Sequence, residues 1–182
     1  MRRHSAIAIA AMLVLPVIAL GQANNPKAET EVKAGIQLKD KGDLAGAEGH
    51  YREAIRLDPR YPEAHYNLGI LLTERGDLDG AIFEYRKAIE IEKDYAEAHF
   101  NLALLLRKKG DSAGEIREYK RALDAAPNYA RAHFNLANAL VEKGDYEGAL
   151  DHYEAYLRLA PKASDRDKVK DMIERLRAAH PD

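Results

Sequence analysis

The chain has 182 residues, 32% of them charged, with a formal net charge of −2 and neither cysteine nor tryptophan. Without cysteine there is no disulfide, thiolate metal site or thiol nucleophile, and the near-neutral balance offers no generally basic face for nucleic acid. A hydrophobic share of 46% is enough for a packed core over most of the length.

The first element is N-terminal. Arg2 and Arg3 precede an uncharged apolar run from Ala6 to Leu20, and Gly21-Gln22-Ala23 then places small residues at the −3 and −1 positions of a cleavage site. This order reads as an export signal over residues 1–23, cleaved after Ala23. The competing reading is a retained membrane anchor. A spanning helix needs about 20 apolar residues, and this run is shorter and interrupted by Pro16. No cysteine follows it, so lipid attachment there is excluded. Loss of residues 1–23 removes two cations and leaves about −4. Residues 24–27 read as a linker, too short and too polar to serve as an N-terminal cap.

From residue 28 onward the chain repeats. Gly-Asp recurs at Gly42-Asp43, Gly76-Asp77, Gly110-Asp111 and Gly144-Asp145, a constant step of 34 residues. Tyr51, Tyr85, Tyr119 and Tyr153 keep the same step, as do Gly46, Gly80, Gly114 and Gly148, and the pairs His65/Asn67, His99/Asn101 and His133/Asn135. The glycine of Gly-Asp can take positive φ and close one helix; the aspartate can accept backbone N–H bonds and open the next. The predicted units are 28–61, 62–95, 96–129 and 130–163, each a pair of helices; in the second unit these run from about Pro62 to Arg75 and from Leu78 to Ile91. Pro59, Pro127 and Pro161 mark the ends of second helices, and Lys93 in the corresponding place predicts a less sharp end in the second unit. Apolar spacing agrees: Leu102, Leu105 and Leu106 on one helix and Ile116, Tyr119 and Leu123 on the next form two faces that only stacked neighbours can bury.

Residues 164–182 contain a further helix with Val169, Met172, Ile173 and Leu176 on one side and charge on the other, the pattern of a solvating cap. Glu115 departs from Ala47, Ala81 and Ala149 of the other units, which suggests looser packing or an ion pair with Arg117 or a nearby lysine. Tyr156 replaces the small residue found as Ala54, Ala88 and Ala122, a bulky ring placed to meet the cap.

The repeat resembles the tetratricopeptide repeat, with W-x2-L-G-x2-Y, A-x3-F and a closing A and P. The second unit carries the match in Leu68, Gly69, Leu72, Ala81, Tyr85 and Ala88, with His65 where the tryptophan stands. The resemblance implies an all-α fold: an α-solenoid of four helix–turn–helix repeats plus a C-terminal capping helix. It implies further that first helices line a concave groove. On that basis the groove residues would be Tyr66, Asn67, Ile70, Phe100, Asn101, Leu104, Arg107, Phe134, Asn135 and Asn138, flanked by Lys39, Thr73, Lys108, Glu74 and Glu142. The asparagines resemble ladders that hold an extended peptide, since an Asn side chain both donates and accepts; Tyr66, Phe100 and Phe134 would add apolar contacts. The alternative is that the asparagines bond to the neighbouring repeat and the rings pack between helices. The lysine and arginine set with which some members clamp an acidic chaperone tail is absent.

His65, His99 and His133 invite an acid–base or metal role, but each stands at a packing position of its own repeat, too far from the others to share one ion. No phosphate loop, nucleophile elbow or metal motif occurs. The sequence therefore predicts a non-catalytic protein–protein interaction adaptor, exported to the periplasm or secreted. Its expected partner is a protein or peptide, with no cofactor, no metal, no nucleic acid and no membrane insertion after signal cleavage; a homo-oligomer is left open. The alternative is a structural or self-assembling envelope scaffold working through its ends or convex face.

Overall fold

The computed structural model describes residues 25–180, so the export signal expected over residues 1–23 lies outside the described residues. Within them the chain forms nine helices and no strand: α1 (Pro26–Asp40), α2 (Leu44–Leu57), α3 (Pro62–Glu74), α4 (Leu78–Ile91), α5 (Ala96–Lys108), α6 (Ser112–Ala125), α7 (Ala130–Lys143), α8 (Tyr146–Leu159) and α9 (Arg166–Ala179). No described helix is long and apolar enough to cross a membrane. α1/α2, α3/α4, α5/α6 and α7/α8 pack as hairpins. Each second helix packs on the next first helix, and α9 closes the far end against α8.

The hairpin turn is built by the Gly-Asp pair. Gly42, Gly76, Gly110 and Gly144 lie at φ between 79° and 83°, the left-handed region that a side chain disfavours. The next residue caps the second helix: the Asp43, Asp77, Asp111 and Asp145 carboxylates accept from the N–H of Gly46, Gly80, Gly114 and Gly148 at 2.8–3.1 Å. A Cβ at Gly114 would stand 2.3 Å from the Asp111 carboxylate. Close approach to the cap therefore explains the second glycine series.

Tyr51, Tyr85, Tyr119 and Tyr153 fill the centres of the four hairpins and are buried. A Cβ on Gly35 or Gly69 would come within 2.6 or 2.7 Å of the Tyr51 or Tyr85 ring, so these glycines let the first helix press onto the tyrosine. The core forms two clusters that meet at α5. Leu102, Leu105 and Leu106 belong to the side shared with α1–α4, while Phe100 and Ala103 belong to the side shared with α6–α9.

Three local expectations change. α4 ends at Ile91 as sharply as the others, the Glu92 N–H returning to the Ala88 carbonyl just as Asp58 returns to Ala54; proline is not needed for that stop. Glu115 is not in a loose site: it is 1% exposed, Arg117 turns instead to Glu118 at 3.0 Å, and the nearest cation to Glu115 is Arg107, with Nε 4.0 Å away. At the start, Lys27 and Pro26 belong to the first turn of α1. Asn25 caps that helix, accepting from Lys27 N–H at 3.0 Å, and its own amide donates to the Leu57 carbonyl at 3.1 Å.

Candidate functional site

The helices that open each hairpin, α1, α3, α5 and α7, present equivalent positions side by side. Near their C-terminal ends successive helices are joined across that surface by ion pairs, Lys39 Nζ to Glu74 Oε1 at 3.3 Å and Arg107 Nη2 to Glu142 Oε1 at 2.7 Å. Between α3 and α5 the equivalent positions hold Thr73 and Lys108, which form no ion pair. A cavity of about 520 Å³ lies there, lined by Thr73, Tyr85, Asn101, Leu104, Leu105, Arg107 and Lys108. Its walls are leucine and tyrosine, and its polar groups are the amide of Asn101, the hydroxyl of Thr73 and two cations. The Tyr85 hydroxyl lies 3.3 Å from Thr73 Oγ1; burial, partly offset by that bond, pushes the phenol up to about 12. This combination of apolar walls with a few convergent polar groups is the usual form of a ligand site.

The cavity brings together Asn101, Leu104 and Arg107 of the sequence-predicted set. The others are placed differently. Phe100 is 1% exposed; its ring packs 5.7 Å from Tyr119 and 4.9 Å from Tyr129, with the Arg131 guanidinium 5.0 Å above it. Tyr66 is half-buried between Tyr85 and Tyr95, and Phe134 between Tyr153 and Tyr156. The asparagines divide their roles. Asn67 donates to the Glu63 carbonyl of its own helix at 2.7 Å, Asn101 reaches the Tyr66 hydroxyl of the preceding repeat at 3.2 Å, and Asn138 accepts from the Tyr153 hydroxyl at 2.6 Å. Asn135 and Ile70 are half-buried. The rings thus pack between helices, Asn101 and Asn138 hold tyrosine hydroxyls, and Asn67 bonds to its own helix. Thr73, Tyr85, Leu105 and Lys108 complete the cavity. Thr73 and Lys108 carry a sequence signal, because they break the cation–carboxylate alternation seen at Lys39/Glu74 and Arg107/Glu142. Tyr61, Tyr95 and Tyr129 also keep the repeat step, and Tyr95 and Tyr129 supply the rings that cover Tyr66 and Phe100.

Glu115 lies behind Arg107. Its Oε1 is buried without a partner, as is the hydroxyl of the fully buried Tyr119. Burial raises the Glu115 carboxyl, Arg107 opposes this and Glu142 adds to it.

The histidines are internal links. His65 Nδ1 meets Glu84 Oε2 at 2.7 Å and His99 Nδ1 meets Glu118 Oε2 at 2.8 Å, while their Nε2 atoms lie 3.2 and 2.9 Å from the carbonyls of Pro59 and Lys93. Burial raises the Glu118 carboxyl, but the bonds from His99 and Arg117 outweigh it and hold the group below its ordinary value. Among the described residues no group of three or more His, Asp or Glu is placed to hold a metal ion.

Stacked helical hairpins with buried tyrosines and glycine–aspartate turns define an all-α repeat solenoid. A TPR-repeat profile matches residues 35–72 and 70–110, and tetratricopeptide-repeat profiles match 96–129 and 116–164. The chain belongs to the tetratricopeptide repeat family. No match is found among curated proteins. Among solved structures it is similar to MamA, at 26% identity and a TM-score of 0.68 over 76% of this chain and 81% of that one. It is also similar to a tetratricopeptide repeat protein from Parabacteroides merdae, at 21% and 0.73 over 85% and 62%. A third is YrrB, described as a TPR protein with an unusual peptide-binding site, at 20% and 0.69 over 85% and 87%.

Proposed function

We propose that the protein is a non-catalytic adaptor whose groove holds an extended segment of a partner protein, anchored at the cavity between α3 and α5. The observation that carries this is the interrupted row of ion pairs. Where Lys39–Glu74 and Arg107–Glu142 close the surface on either side, Thr73 and Lys108 leave about 520 Å³ with apolar walls and the Asn101 amide beside it. The description of YrrB as peptide-binding supports the same class of ligand.

Leu104→Arg blocks the cavity from a half-buried position packed against the core, and should keep the helical fold while lowering its melting temperature modestly. Pull-down from envelope extracts followed by peptide mapping should then lose a partner that the parent chain recovers. Phe83 on α4, 57% exposed, offers the contrasting surface and favours the second reading, a scaffold contacting its neighbours through the convex face. Recovery unaffected by Leu104→Arg but lost with Phe83→Ser would move the site to α4.

The reading includes export with cleavage after Ala23. Terminal sequencing of the mature protein should begin at Asn24; an intact Met1 or Arg2 on membrane-bound protein would overturn it.

A further inference from the structure

Each repeat sets one polar pair between its two helices at the same two positions. In the first three it joins histidine to glutamate: His50 to Glu31 at 2.6 Å, with the partners exchanged between helices, then His65 to Glu84 at 2.7 Å and His99 to Glu118 at 2.8 Å. In the fourth, both positions are histidine. His133 Nδ1 and His152 Nδ1 lie 2.9 Å apart with ring centroids 5.1 Å apart. The centroid separation exceeds the nitrogen separation by nearly the full reach of both rings, so the rings meet close to end-on. That geometry suits one shared proton. It does not suit a metal ion, towards which two nitrogens converge at an angle.

His133 Nε2–H donates to the Pro127 carbonyl at 3.0 Å. In the neutral pair the Nδ1 of His133 therefore accepts from His152. One added proton is tolerated, because an imidazolium still donates to an imidazole. A second leaves two N–H groups face to face with like charges, and the pair titrates as a unit. The His–Glu pairs carry no such conflict, because a carboxylate accepts from a ring N–H.

We propose that the His133–His152 pair makes the fourth repeat the acid-labile unit of the array, separating α7 from α8 in mild acid while the first three repeats stay closed. The groups facing the pair are few. Asp151 and Asp145, on α8 and its cap, favour charge on His152, while Lys120 from α6 opposes it. Burial and the charge of His133 hold His152 below its ordinary value. The stability this contributes is present above about pH 6.5 and is lost as pH falls through the depressed value. The contribution of Glu118, also depressed, is present above about pH 4.5 and is lost only in stronger acid. Between these windows the fourth repeat alone is weakened. The consequence for binding rests on the groove reading: α7 carries Asn135 and Asn138, so its release loosens the far wall of the groove and frees a bound segment.

Hydrogen exchange on the full chain, corrected for the intrinsic pH dependence, tests this between pH 7.5 and 5.5. Protection in α7 and α8 should fall by up to about tenfold, the limit set by the one unit between the ordinary histidine value and pH 5.5, while α3–α6 keep theirs. His152→Glu recreates the pair of the other repeats and should abolish the response. Protection that does not change with pH, that falls equally in all repeats, or that still falls in His152→Glu overturns the proposal. A complex recovered at pH 7.5 should dissociate at pH 5.5 with the parent chain and persist with His152→Glu; persistence with both overturns the coupling to the groove. Exchange reads α7 and α8 without any partner, so a failure of groove binding is distinguishable from a failure of the acid response.

Discussion

The ring of Tyr156 lies 5.2 Å from that of Phe134, where Tyr95 and Tyr129 lie 4.9 Å from Tyr66 and Phe100 in the preceding repeats. Those tyrosines are the last residues of their units and stand at the N-caps of α5 and α7. The fourth unit ends in Ala163 at the corresponding position. Tyr156 fills that space from α8, and its hydroxyl donates to Asp165 Oδ1 at 2.6 Å at the start of α9. One side chain thus closes the aromatic row and anchors the cap.

Tyr156→Ala should therefore cost about 3–5 kcal/mol in urea unfolding and expose the amides of α9 to exchange. Tyr156→Phe keeps the ring and loses the bond to Asp165, for about 1 kcal/mol. Equal losses for the two variants would mean that the ring packing contributes nothing.

Glu115 carries a cost within repeat three, since its buried Oε1 has no hydrogen-bond partner and only Arg107, 4.0 Å away, opposes the burial. Glu115→Ala restores the residue type of Ala47, Ala81 and Ala149 and should stabilise the protein by about 1–3 kcal/mol at neutral pH. Because the carboxyl is raised, mainly by burial, the native state takes up its proton more readily than the unfolded chain. The penalty is relieved as pH falls towards the raised value, so the advantage of the variant should shrink in acid. Denaturant midpoints for both chains across pH 4–8 measure this.

The left-handed turn at Gly110, φ 79°, gives a simple backbone test. Gly110→Ala should lose about 1–2 kcal/mol with no contact altered, because no atom lies within 4 Å of the added Cβ. Gly49 is also free of neighbours but lies inside α2, so Gly49→Ala should gain about 1 kcal/mol. Opposite signs in thermal unfolding would separate conformation from packing.

His99 and Glu118 form the most enclosed of the histidine pairs, at 2% and 10% side-chain exposure. Glu118 lies below its ordinary value because bonds from His99 and Arg117 outweigh burial. Its contribution should therefore be constant above about pH 4.5 and disappear as pH falls through the lowered value. Glu118→Gln should flatten that part of the stability profile; an unchanged acid limb would show that other carboxylates set it.

The sequence by itself determined the periodic features. Gly-Asp at a constant step specifies both the turn and the cap, because positive φ and N-cap acceptance are local properties of those two residues. The tyrosine series and the apolar spacing specify stacked hairpins, because neither helix face can be buried within one unit. What the tertiary structure decided depends on neighbours that are distant in sequence. Phe100 belongs to the packing between α5, α6 and Tyr129, because that ring stands at the N-cap of α7, distant from α5 in sequence. Asn101 holds a hydroxyl of the preceding unit. Lys108 and Thr73 leave a cavity only because α3 and α5 stand side by side with no ion pair between them. The two histidines of the fourth repeat, His133 and His152, become a pair through the hairpin that places them 2.9 Å apart. A repeat fixes its turns residue by residue, whereas the surface it offers and the charges it shares are set by how successive units meet.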